Sequence, residues 1–469
     1  MASDGYTTDV EQIEQAFETL ALDPGAQAVK GPALSLLAIG SREDARIRDT
    51  LGEPEVLIKL LEVVMTSPRD DLEATIAALR CIGNACTVDT ARETVLRAGL
   101  AWAVQCLDEG DHMLQLIAAK VLYNICYEFE PAQYDCYRLN IQHRLIAILS
   151  RSSSDWEVSD RTLVLDLLLS ITGQKTKENN EVLPGDLLEN LVCLPDRFTD
   201  VSDVQDFETS LEILLGYLTD PETQAQVIEQ RLVAEVWKRF QQTERMLRML
   251  PAQMPREDDD DEEIEDQKLL TALSTTMTWS LSDIAASSRF AEVYPLQDPL
   301  ISDLILVLTA SNIIANGTNG NVPGLRSERT INAACQVVGN YFLHLSTEIL
   351  ASTIMQLKLY ENIYKLMMAV NDAELLHSAT GLLVQMTRPS VEVRATMGAD
   401  GSALPAIEKV CGHATSQLKQ DGLRLLRALG RECPQNQERF ASLAQQTMAS
   451  VATAQQPDAG TEDMVVNAG

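Results

Sequence analysis

Residues 78–86 read Ala78-Leu79-Arg80-Cys81-Ile82-Gly83-Asn84-Ala85-Cys86, and residues 118–126 read Ala118-Ala119-Lys120-Val121-Leu122-Tyr123-Asn124-Ile125-Cys126. Asn124 and Cys126 each stand 40 residues beyond Asn84 and Cys86. Around the first copy, Ile76, Leu79, Ile82 and Cys86 form one apolar stripe at helical spacing. A short break at Thr87-Val88-Asp89 follows, then a second helical stretch over 90–97. Ala98-Gly99 makes a corner where glycine tolerates positive φ, and Leu100, Val104 and Leu107 resume the period before Asp108-Glu109-Gly110-Asp111. The unit is therefore three helices, too small to bury its apolar face alone.

The same register extends in both directions. Asp44-Ala45-Arg46 matches Thr90-Ala91-Arg92, which places Ala38 at the Asn84 position. From Ala38 the equivalent positions are Asn84, Asn124, Ser170, Tyr217, Asp283, Asn340, Gln385 and Arg431, at intervals of 46, 40, 46, 47, 66, 57, 45 and 46 residues. A period of about 40–47 residues in apolar helical sequence is that of armadillo and HEAT repeats, whose units stack so that each buries its neighbour's face. The expected fold is all-α, a right-handed superhelical solenoid of about nine repeats. Its expected organisation is a leader at 1–10, N-terminal repeats over 11–250, an acidic insert without regular structure at 251–267, C-terminal repeats over 268–445 and a disordered tail at 446–469. The 66-residue interval holds the acidic run 257–266, and the 57-residue interval holds an Asn- and Gly-rich polar loop at 311–325.

Lys and Arg number 37 against 69 Asp and Glu, a net charge of −32. Such a surface repels phosphate backbones and attracts basic partners, so nucleic acid is an unexpected ligand. The nine cysteines fall mostly in apolar helical runs (Cys81, Cys86, Cys106, Cys126, Cys193, Cys335) and read as small buried hydrophobes in a reducing compartment. The opening Met1-Ala2-Ser3-Asp4-Gly5 has neither a basic nor an apolar leader character, and no apolar run reaches a membrane-spanning length. The expectation is a soluble, cytoplasmic monomer.

Catalytic chemistry is not spelled anywhere. His112, His143, His344, His377 and His413 are scattered without a His-Glu-x-x-His, no Cys-x-x-Cys occurs, and no Gly-x-x-x-x-Gly-Lys-Ser/Thr offers a phosphate cradle. No cofactor, metal or catalytic residue is expected, and the chain reads as a non-enzymatic binding protein. Binding falls to the third helices. A carboxamide at Asn84, Asn124 or Asn340 can grip an extended peptide backbone, or can equally hydrogen-bond a neighbouring repeat. Trp279 and Asp283 share a helix face, where they can receive a basic ligand or serve as packing and a solvated acid. The carboxylates Asp258, Asp259, Asp260, Asp261, Glu262 and Glu263 can lure a polybasic partner or remain a solvated segment.

The phrases Arg80-Cys81-Ile82-Gly83-Asn84-Ala85-Cys86-Thr87-Val88-Asp89 and Ala334-Cys335-Gln336-Val337-Val338-Gly339-Asn340-Tyr341-Phe342 resemble repeats of the SmgGDS family. So do His377-Ser378-Ala379-Thr380-Gly381-Leu382-Leu383 and Gln420-Asp421-Gly422-Leu423-Arg424-Leu425-Leu426. The resemblance implies a guanine nucleotide exchange factor and chaperone for small GTPases of the Rho/Ras superfamily. It implies an acidic concave groove for a basic, prenylated tail, an isoprenoid held between helices of the N-terminal half, and C-terminal repeats that face the nucleotide switches. Asn340, Gln385, His377, Asp283 and Trp279 would then contact the GTPase, and Asn84 and Asn124 would line the N-terminal groove. The chain departs from that pattern at Ser170, Tyr217, Asp283, Gln385 and Arg431, where the amide is missing. A generic armadillo scaffold for basic or extended segments is the alternative. An importin-α-like receptor fits less well, because Arg80, Lys120 and Gln336 stand where its tryptophans would precede Asn84, Asn124 and Asn340.

Overall fold

A computed structural model describes residues 10–20, 27–66, 71–152, 156–175, 183–198, 200–250, 261–310 and 327–454. Among them are 26 α-helices, two short 3-10 segments and no strand. The chain divides into two compact units, residues 1–223 and 224–469.

The repeat read from sequence is the repeat observed. Its third helix, Leu72–Ala85, is started by Asp71, whose carboxylate accepts from the Ala74 amide at 3.0 Å. Leu79, Cys81, Ile82 and Cys86 are fully buried, and Ile76 is half-buried at the rim of the same stripe. The chain then turns into Asp89–Ala98, bends at Gly99 with φ +92°, and continues as Ala101–Asp108. Asp111 caps the next third helix, His112–Cys126, through the Leu114 amide at 2.8 Å. Those two third helices approach closely because Gly83 carries no side chain. A Cβ there would stand 3.1 Å from Val121 Cγ2.

In the first unit the third helices are Gln27–Glu43, Leu72–Ala85, His112–Cys126, Val158–Thr172 and Val204–Leu218. In the second they are Asp261–Ala286, Glu328–Leu343, Ala373–Met386 and Ser416–Gly430, followed by Pro434–Ala454. Nine third helices among the described residues match the nine expected. Arginines fasten their carboxyl ends, where unpaired carbonyls attract cations. Arg92 donates to Cys86 O and to Tyr127 O, both at 2.8 Å, and Arg394 donates to Thr387 O at 3.1 Å. In the first repeat Arg48 performs this task, donating to Arg42 O at 3.2 Å. Arg46 is drawn instead to Asp44, the cap of its own helix.

Other expectations change. The division into units falls at 223/224 and not at the acidic run. That run joins two helices of one repeat, Val233–Met249 and Asp261–Ala286, which are tied by the buried Glu244 accepting from Ser274 Oγ. Residues 251–260, and with them Asp258, Asp259 and Asp260, lie outside the described residues. From Asp261 the backbone is helical, contrary to the irregular insert expected through 267. A helix amino end accommodates a run of acids that an isolated coil would only repel. The side chains of Asp261, Glu262 and Glu263 are outside the described set, as is the 311–325 loop. The expected tail begins too early, since residues 446–454 complete the last helix, and helix Val10–Leu20 takes in the last residue of the expected leader. Tyr217, a ladder position by spacing, is buried. No helix among the described residues is long and apolar enough to cross a membrane.

Candidate functional site

Four third helices of the second unit line a groove of about 600 Å3. Helix Asp261–Ala286 contributes Trp279 and Ser282, Glu328–Leu343 contributes Asn332, Gln336 and Asn340, Ala373–Met386 contributes His377 and Gln385, and Ser416–Gly430 contributes Gln417. Four of the residues singled out from sequence, Trp279, Asn340, His377 and Gln385, are therefore gathered in one place. Asp283 is not among the lining residues. Ser282 faces the Asn340 helix, and the next residue points about 100° further round. Asp283 is exposed one turn beyond Trp279, which is itself 61% exposed.

The ladder asparagines turn their amides into the protein. Asn340 Nδ2 donates to Ser282 O and Ser282 Oγ, both at 2.9 Å. Asn84 Nδ2 donates to Ala38 O at 3.2 Å and Ser41 Oγ at 2.8 Å, and Asn124 Nδ2 donates to Gly83 O at 3.0 Å. Of the two roles open in sequence, this geometry provides the second, a clamp on the preceding repeat. It explains the paired Gly-Asn phrase, with glycine admitting the following third helix and asparagine holding the one before.

The groove floor is a chain of further polar pairs. Gln336 Nε2 donates to Ser378 Oγ at 3.2 Å. His377 Nδ1 lies 2.7 Å from Asp421 Oδ2, which joins two phrases quoted above from separate repeats. Asp421 is a buried carboxylate, so its histidine partner, more than half exposed, is a groove wall as well as a counter-group. Arg329, at one end, stands 3.8 Å from the buried Glu244. Asn332, Asp421 and Arg329 carry no sequence signal that sets them apart as site residues. Asn332, Gln336 and Asn340 follow at i, i+4 and i+8, so carrying the ladder two turns back along the same face would have reached Asn332.

Nucleophilic chemistry is disfavoured here. Cys335 lines the groove from within, and burial pushes its thiol up to about 12, which keeps it protonated at neutral pH. Among the described residues no group of three or more His, Cys, Asp or Glu is placed to hold a metal. All nine cysteines are free thiols, eight of them buried.

In the first unit the carboxylates on the third helices are partly neutralised within the fold. Arg161 Nη2 meets Asp203 at 2.8 Å and Asp206 at 3.1 Å, and Lys120 meets Asp160 at 2.5 Å. Asp166 meets no such cation among the described residues, and burial, with Asp206 facing it, holds its carboxyl above the usual range.

No protein-family model matches the chain, and no curated protein matches it. Among solved structures it is similar to one described by a phosphorylation switch that controls the interaction between cadherin and beta-catenin. The identity is 13%, over 89% of this chain and 68% of that one, with a TM-score of 0.51. The fold is an armadillo-type α-solenoid. A designed armadillo repeat protein aligns at 15% identity over 56% of this chain and 99% of its own, with a TM-score of 0.38. An engineered protein aligns at 16% identity over 89% and 98%, with a TM-score of 0.42.

Proposed function

We propose that this armadillo solenoid binds a small GTPase of the Rho/Ras type and promotes nucleotide release without a catalytic residue of its own. The observation that carries the reading is the groove of the second unit, in which Asn340 and His377 of the SmgGDS-like phrases stand together with Gln385, the next ladder position, and Trp279. The net charge of −32 supports a basic partner, since an acidic surface draws a polybasic tail by steering that weakens with salt. The role of each groove residue differs from the simplest expectation. Trp279 offers an exposed face for an apolar or cationic side chain, His377 and Gln385 offer polar contacts, and Asn340 keeps the helices in register. Exchange follows if the groove binds the nucleotide-free conformer better than the loaded one, because that difference alone shifts the population and expels nucleotide.

A scaffold that holds an extended segment without exchange is the second reading. It is favoured by the likeness to a chain studied for the interaction between cadherin and beta-catenin. Release of a fluorescent GDP analogue from a panel of Rho and Ras GTPases separates the two. Each GTPase is tested with and without its basic tail, at low and moderate salt. Accelerated release that needs the tail and fades with salt supports exchange, tight binding without release supports the scaffold, and no binding to any member removes the GTPase reading.

A further inference from the structure

The last two helices, Ser416–Gly430 and Pro434–Ala454, leave between them a groove of about 440 Å3. Leu423, Leu426 and Phe440 lie buried along it, and Met448 is 45% exposed at its side. In a solenoid each repeat covers its neighbour's apolar face, and a terminal repeat ordinarily turns a polar face outward. Among the described residues no repeat follows this one, yet Phe440, Ala444 and Met448, at i, i+4 and i+8, set an apolar stripe along the last helix. Arg427 and Arg431 stand at the rim, exposed and paired with no carboxylate among the described residues. Glu432, next to Arg431, lies 3.6 Å from Arg394 instead. In a chain of net charge −32 this is a local excess of the opposite sign.

We propose that this groove is covered by the chain's own segment Thr461-Glu462-Asp463-Met464-Val465-Val466, folded back along the last helix. Composition picks out this occupant. Met464-Val465-Val466 is the one apolar run in residues 455–469, and two acids stand directly before it, so the segment matches both the apolar stripe and the unpaired arginines. Pro457 and Gly460 supply turn chemistry just beyond Ala454. The reach is sufficient. Ten residues separate Ala454 from Met464, at most roughly 33 Å of extended chain. The last helix between Ala444 and Ala454 is about 15 Å long. Side chains lean toward the amino end of their helix, which brings the Arg427 guanidinium toward the level of Leu423, where a returning segment carries its acids. Docked in this way the segment takes the place of a next repeat and caps the stack. This contact is separate from the groove lined by Trp279 and does not rest on the GTPase reading.

The test uses the full chain with one cysteine in the segment, Val465→Cys, and one on the last helix. The second is either Ala441→Cys, in the groove, or Ser442→Cys, one residue further and about 100° round the helix. The two have nearly the same tether length, so an undocked segment links to both alike. Disulfide formation in a glutathione buffer is read by mass spectrometry, in a mixture with an isotopically labelled copy. The link from residue 465 to 441 should form within one chain about tenfold faster than that to 442. Arg427→Glu with Arg431→Glu should erase the preference, and adding Glu462→Lys with Asp463→Lys should restore it. Equal rates at 441 and 442, a preference indifferent to the charge reversal, or links that form between chains overturn the proposal. Should the arginine variant not fold, a second measurement leaves the groove unaltered. A fluorescein-labelled peptide of residues 458–469 should bind the Met464→Asp, Val466→Asp chain about tenfold more tightly than wild type, whose own segment competes. Equal binding to both chains, or binding to neither, overturns it.

Discussion

Asn340 shows what a single side chain does in this stack. Its two hydrogen bonds to Ser282 are net worth about 0.5–1.5 kcal/mol each, so Asn340→Ala should destabilise by about 1–3 kcal/mol. Denaturant unfolding checks this, and an unmoved midpoint would refute the clamp. Asn124→Ala, which loses one bond, should cost less. Cys335 gives a second prediction at this scale. With its thiol near 12, it should resist a thiol-labelling reagent at pH 8 in the native protein and react once unfolded. The candidate site was legible to the extent that residue type and period coincide. Asn340 and Gln385 are ladder positions, Trp279 is one turn from one, and His377 opens one of the SmgGDS-like phrases. Asn332 and Asp421 were missed because burial, and whether a side chain finds a partner from another repeat, are properties of the packed structure that no local pattern encodes. Asp283 stands outside the groove lining because one residue's step turns about 100° around a helix.

At the scale of the element, four of the third helices start where an acid or a hydroxyl closes the first turn. Asp71, Asp111, Ser327 and Asp372 each accept a backbone hydrogen bond from the residue three further on. Asp372→Ala should therefore lower stability by about 1 kcal/mol, read from the melting curve, with Asp372→Asn largely restoring it. Retention of full stability by the alanine variant would mean the cap is not needed. Gly83→Val is the packing counterpart. The added methyls meet Val121, and overpacking costs about 1–3 kcal/mol. Helices and their corners were legible in sequence, since Gly99 and the apolar stripe are local signals. The acidic run was read as irregular because charge repulsion dominates in isolation, whereas from Asp261 the chain is helical and further along packs on Val233–Met249.

Across the whole molecule the dominant feature is charge. Asp166 states its cost locally, for its carboxyl is raised by burial and by Asp206. A raised carboxyl contributes stability that is present below the usual carboxylate range and is lost as pH rises through its folded value. Asp166→Asn should therefore raise the melting temperature at pH 7 and leave it nearly unchanged near pH 3.5; an equal change at both would show that titration is not involved. The same excess of acid is what the account assigns to partner recruitment, with the groove of the second unit as the contact. Hydrogen–deuterium exchange of the full chain, with and without a nucleotide-free Rho or Ras GTPase, tests that claim most directly. Slowed exchange concentrated in Glu328–Leu343 and Ala373–Met386, lost when Trp279 is replaced by alanine, is the expected result. Protection confined to other helices, or protection indifferent to Trp279, would contradict it.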